Sequence, residues 1–215
     1  MAKIKQGILG GFSGKVANVV GTSWKGRAVM KSQPLSVANP KTEAQQEQRG
    51  KFSKIAELAS AVLTQFVQPV ENPISGDISG YNLFCKDNKA AFNTSGNLVA
   101  ANFVAGGGKI IGIGEIETTF EVSDDYIQAE WTNQEDISAL RLTDKVYGIA
   151  VSEDGSQIFA SGGVATRNSL AVELDRVKGD TTLDAGQKFL ILLACVSADG
   201  RDVSVKANAT AVTLS

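Results

Sequence analysis

Residues 189–196 read FLILLACV. Eight consecutive apolar residues make a strand-length run, far short of the roughly 20 that a membrane span needs. The run predicts the central strand of a β-sheet, and the sequence around it repeats the theme. Apolar or alternating runs recur at 98–104, 109–113, 117–122, 126–131, 145–151, 157–160, 169–174, 189–196 and 203–212, separated by the turn signals AGGGK, SDD, SEDG, SGG, KGD and SADG. Short strands at this spacing predict an antiparallel β-sandwich of immunoglobulin-like type over residues 98–215. Glu117, Thr119 and Glu121 alternate with Thr118, Phe120 and Val122, as in a strand with one wet face. Trp131 is the expected core anchor.

The first 97 residues have a different texture. Residues 10–31, GGFSGKVANVVGTSWKGRAVMK, predict a β-ribbon with strands at 15–21 and 24–31 and a turn at SWKG. In the second strand Arg27, Val29 and Lys31 share one face and Ala28 and Met30 the other. A two-stranded ribbon is marginal alone, so it must dock on something. Pro40, Thr42 and Gln45 mark a helix start, and Phe52, Ile55, Ala59, Val62 and Phe66 recur at helical spacing. This predicts a helix over about 42–67 that ends near Pro69, with a bend or close contact at Gly50. A second helix is expected over 80–92, closed by the turn residues 93–97. The chain therefore reads as mainly β with α: an N-terminal basic β-ribbon with two helices over 1–97, then the immunoglobulin-like antiparallel β-sandwich over 98–215.

Composition narrows the chemistry. The 215 residues are 43% hydrophobic and 20% charged, enough for a buried core. Histidine is absent, which removes the commonest general base and the usual metal ligand. Cys85 and Cys195 lie in apolar settings and predict core packing, not a disulfide. Gly14-Lys15 fails the P-loop pattern, since Val16 follows and Leu9 stands where the first glycine should be. Asp124-Asp125 and Glu135-Asp136 are turn-like pairs without EF-hand spacing. These features predict no enzyme, no cofactor, no metal and no small-molecule substrate. The basic N-terminus is followed by an apolar stretch too short for a secretory core, which predicts a product made in the cytoplasm, with no membrane partner.

Charge is unevenly placed. Residues 1–60 hold ten Lys or Arg and three Glu, a net of +7, and the remainder carries −9. That asymmetry predicts either a nucleic-acid-facing arm or head-to-tail contact between copies. The candidate partner-binding residues are Gly14, Lys15, Val16, Trp24, Lys25, Gly26, Arg27, Lys31 and Arg49. The glycines would allow close backbone approach, Trp24 would anchor, and the cations would meet acidic surface. Protein docking is favoured because Val16, Val19, Val20, Val29 and Met30 want burial. Nucleic acid is the second choice, with Lys15, Lys25, Arg27 and Lys31 on phosphate and Trp24 stacked on a base. A carbohydrate-binding sandwich would instead use exposed Tyr126, Trp131 or Tyr147.

The pattern GxFSGKVxNVVG…WKGxxVxKxxP, followed by NPKTxAQxxQRxKF, GYNLF and VSADGRxVS, resembles an uncharacterised domain family of Bacteroidota bacteria and their phages or prophages. The similarity spans nearly the whole chain. Its most specific parts are Gly14-Lys15-Val16, Trp24-Lys25-Gly26 and residues 39–52. The helix start also resembles one found in several phage structural proteins. The resemblance implies a structural, virion-located protein whose partners are other virion proteins or copies of itself, and it supplies no catalytic residue.

Overall fold

A computed structural model describes residues 3–4, 11–24, 27–36, 39–119, 126–133, 137–162, 164–179, 183 and 186–213. The chain divides into two units, Met1–Thr42 and Glu43–Ser215. The first is an antiparallel sheet in the order β1 (Lys3–Ile4), β2 (Phe12–Val16), β3 (Val19–Trp24) and β4 (Arg27–Ser32). The expected boundary at 97/98 falls inside the second unit.

The second unit opens with α1 (Glu43–Ala61). Residues 43–50 are all exposed, and burial begins with Ile55, Leu58 and Ala59. Phe52, expected in the core stripe, is 54% exposed. Gly50 has open space where a Cβ would stand, so no close contact explains it. The helical path also runs past the expected stop. A π turn at Leu63–Val67, in which the Val67 N–H donates to the Val62 carbonyl (3.1 Å), leads into α2 (Gln68–Glu71). Pro69 sits in the first turn of α2, where its missing N–H costs nothing. Next comes α3 (Gly80–Asp87), capped by the Ser79 hydroxyl, which accepts from the Asn82 N–H at 3.3 Å.

The remaining strands are β5 (Val104–Ala105), β6 (Ile116–Thr119), β7 (Tyr126–Trp131), β8 (Lys145–Ser152), β9 (Ile158–Ser161), β10 (Ala165–Thr166), β11 (Ala171–Lys178), β12 (Lys188–Val196), β13 (Ala207–Asn208) and β14 (Thr210–Thr213). β5 pairs with β13. The others form one antiparallel sheet in the order β14-β12-β8-β9-β11-β7-β6, with β10 beside β8.

The run at 189–196 forms β12, which stands second in the order, between the edge strand β14 and β8, and not at the centre; both of its faces are nevertheless buried. Leu190, Leu192, Ala194 and Val196 pack with Ile149, Val151, Ile158 and Ala160 against the helical residues Ile55, Leu58, Val62, Phe66 and Phe84. Phe66 and Phe84 meet edge to face at 6.5 Å, and Phe84 meets Phe103 at 6.2 Å. The opposite face gathers Phe189, Ile191, Leu193 and Cys195 with Val146, Ala150 and Phe159, and also with Val172 and Leu174 of β11 and Ile127, Ala129 and Trp131 of β7. β7 stands four places from β12 in the sheet, so sharing one cluster requires the sheet to curl. Among the described residues the large sheet follows one hydrogen-bonded, curled antiparallel path, and the two facing sheets of an immunoglobulin-like sandwich are not seen. Helices cover one face, and the curl covers the other. Each large apolar side chain buried this way contributes roughly 1.5–3 kcal/mol.

Candidate functional site

Residues 15–21, expected to form one strand, contain a two-residue turn at Ala17-Asn18. Ala17 takes φ +48, and the Asn18 carbonyl accepts from the Gln33 N–H at 2.8 Å, tying the end of β4 to the turn. Val16 then faces Val19 across the hairpin. Gly14 adopts φ +114, which only glycine takes readily, and the chain before it comes over β3. The Phe12 carbonyl oxygen and ring occupy the space where a Gly21 Cβ would stand, and Gly11 lies against Ala28 in the same way. Those close approaches account for glycine at positions 11 and 21.

Strand register sorts the rest. Lys15 pairs with Val20, Val20 with Lys31 and Thr22 with Val29, so these residues share one face with Arg27. Val16, Val19 and Met30 belong to the other face. All six residues of β4 are exposed, Met30 to 71%, and Val16 to 52%. Met1–Thr42 carries seven Lys or Arg and no Asp or Glu, while Glu43–Ser215 carries 14 basic and 23 acidic residues. The charge boundary and the unit boundary coincide. Among the described residues no carboxylate pairs with Lys15, Arg27 or Lys31.

The structure thus places Gly14, Lys15 and Val16 on β2 and Arg27 and Lys31 on β4, with β3 between the two strands. The Trp24 backbone pairs with Arg27 at the far end of β3. Lys25 and Gly26 lie outside the described residues. Arg49 is an exposed residue of α1 and belongs to the other unit.

The second unit carries a feature of opposite sign. On the outer side of β7 and β11, Glu173 pairs with Gln128, Asp175 with Tyr126 and Ala171 with Glu130. Glu173 and Asp175 are exposed, and the Gln128 amide donates to Glu130 (2.9 Å). The Asp175 carboxylate lies over Gly162, where a Cβ would displace it. Gln128, Ala171, Glu173 and Asp175, with Val164 and Ala165, line a groove of about 290 Å³.

Sequence reasoning missed two buried polar groups. Arg167, in a 3₁₀ turn after β10, is fully buried. Its guanidinium donates to the carbonyls of Ile111 and Gly112, and its Nε stands 3.8 Å from Asp144 Oδ2. Burial pushes the Asp144 carboxyl up, against the pull of Arg141 and Arg167. Glu71 is buried at the end of α2, where Oε1 accepts from the Gly106 N–H (3.2 Å). Neither position carries a local sequence signal that separates it from a surface charge.

The cysteines are free and buried. Burial raises both thiols, Cys195 to about 11, which keeps it from being a nucleophile at neutral pH. Trp131 is buried and offers no ring for sugar stacking. Among the described residues no helix is long and apolar enough to cross a membrane, and no group of three or more Cys, Asp or Glu is placed to hold a metal ion.

Residues 11–210 match the model of one protein family, described as "Family of unknown function (DUF6266)". No curated protein and no solved structure matches the chain.

Proposed function

We propose that this chain, which belongs to the family of unknown function DUF6266, is a non-enzymatic structural protein that works by docking its N-terminal ribbon on another protein. One observation carries the reading. The ribbon unit presents a sheet face of Lys15, Arg27 and Lys31 with no carboxylate of its own, and the opposite face leaves Val16 and Met30 exposed. A four-stranded sheet this small, with the exposed Val29 on one face and Val16 and Met30 on the other, buries little of its own apolar surface. Docking would cover the apolar face or neutralise the cationic one. The resemblance of the GKVxNVVG…WKG…NPKTxAQxxQRxKF pattern to an uncharacterised domain family of Bacteroidota bacteria and their phages, with a helix start resembling phage structural proteins, supports a phage or prophage particle as the setting, as a capsid-decoration or tail-type component.

The test is incorporation. Particles from a host carrying the gene with codons 1–42 deleted, purified and examined by mass spectrometry, are expected to lack the protein, while the full-length product is retained. Retention of the truncated chain at wild-type level overturns the docking role.

A further inference from the structure

We infer, resting on the docking role proposed above, that the ribbon's partner is a second copy of this chain, received on the acidic outer face of β7 and β11. Charge segregates at the same boundary as the fold, so each copy carries one cationic unit and one acidic unit. Two different patches of one molecule then match in sign, the condition for a heterologous, head-to-tail contact.

The acidic face is distinguished by two exposed carboxylates side by side on one strand, neither of them ion-paired among the described residues. Glu47, Glu57 and Asp87 are each already paired within the chain, with Lys51, Lys178 and Lys206. Glu173 and Asp175 are exposed and make no ion pair among the described residues. They stand two residues apart on one side of β11, about 7 Å along the strand. Like charges that close repel, and a cation from outside relieves the repulsion. Beside them Val164 is 60% exposed at the rim of the groove. On the ribbon, Arg27 and Lys31 flank the exposed Val29 on one face of β4. Each surface therefore offers two like charges next to an exposed valine, with opposite signs on the two surfaces. Because the donor and acceptor patches differ, each copy can receive one neighbour and reach another.

The experiment is a charge swap on the full chain, read by sedimentation velocity and light scattering at about 50 mM and 500 mM salt. Wild type is expected to gain mass with concentration at low salt and to associate at least about tenfold more weakly at high salt. The triple variant Lys15→Glu, Arg27→Glu, Lys31→Glu and the double variant Glu173→Lys, Asp175→Lys are each expected to lose self-association by more than about a hundredfold. Mixed in equal amounts they are expected to associate again, since the double variant's native ribbon meets the triple variant's native acidic face and the acidic ribbon meets the basic face. Circular dichroism checks that both variants fold. Wild type that stays monomeric at every concentration, or a mixture no stronger than its components, overturns the inference. A monomeric wild type whose ribbon cations bind a 20-base-pair duplex assigns them to nucleic acid and overturns it as well. If wild type is monomeric yet the deletion of residues 1–42 still abolishes incorporation, the ribbon docks on a different protein. The function proposed above then stands, and self-docking falls.

Discussion

The Cδ2 methyl of Leu174 in β11 lies 2.9 Å from the point where a Cβ on Gly148 of β8 would stand, although β9 separates the two strands. Leu193 of β12 closes on the same point at 2.6 Å from the other side. Gly148 is therefore where the sheet curls tightly enough for a side chain to reach across a neighbouring strand. Both leucines are buried, so neither tip can swing into solvent. Gly148→Ala is expected to destabilise the second unit by about 1–3 kcal/mol through overpacking, read as a shift in urea midpoint at constant slope. Combined with Leu174→Ala it should cost less than the two single changes added, because the second removes the atom the first collides with. Strict additivity would show that the curl does not close there.

Arg167 and Asp144 form a buried pair whose removal is asymmetric. Arg167→Met is expected to cost about 3–5 kcal/mol, because it strands a buried carboxylate and frees the carbonyls of Ile111 and Gly112. Without that cation the Asp144 carboxyl rises further, so the loss should grow as pH increases. Arg167→Met with Asp144→Asn is expected to recover part of the loss and to flatten its pH dependence. A double variant no better than Arg167→Met would remove the charge pair as the cause.

Glu71 gives stability a pH dependence of definite sign. Burial pushes its carboxyl up to about 7, Asp87 adds to the rise, and the Gly106 N–H and Lys206 oppose it. Oε2 is buried without a hydrogen-bond partner among the described residues. The folded state thus holds the proton more tightly than the unfolded chain. This contribution is fully present below the ordinary glutamate range and is lost as pH rises toward about 7. The loss is at most about 3 kcal/mol. Glu71→Gln is expected to match wild type near pH 4.5, to exceed it at pH 8 and to show a flatter stability profile. A Glu71→Gln variant that is less stable than wild type at pH 8 would mean that the ionised carboxylate is the stabilising form.

How much of this was legible can be argued from particular residues. The runs at 126–131, 145–151, 157–160, 169–174 and 189–196 fall on β7, β8, β9, β11 and β12, because strand alternation is a local property of the sequence. The runs at 98–104 and 109–113 do not make comparable strands. Leu98 and Phe103 are buried beside the helices on irregular backbone, and apolar content alone does not separate the two outcomes. What covers each face of β12 was illegible for a similar reason, since a helix layer and a second sheet ask for the same apolar alternation. On the ribbon, alternation alone already puts Arg27 and Lys31 on one face, and the register adds Lys15 to it. Arg49, placed with them by charge alone, stands in the other unit. Arg167 was invisible because RNS reads as a polar turn, and only the fold turns that guanidinium inward.

Every described member of the two hydrophobic clusters belongs to Glu43–Ser215. Within Glu43–Ser215 the helices close one face of the large sheet and the curl closes the other. Residues 43–215 produced alone are therefore expected to unfold in one cooperative transition, within about 3 °C of the full chain. A shift of that size corresponds to less than about 1 kcal/mol for a unit this long. The measurement is calorimetry on both proteins at high salt, where any charge-driven association is suppressed. A drop of 10 °C or more, or loss of cooperativity, would show that the body needs the ribbon to complete its core. The ribbon's cations would then be structural, and the segregation of charge between the two units would lose its bearing on assembly.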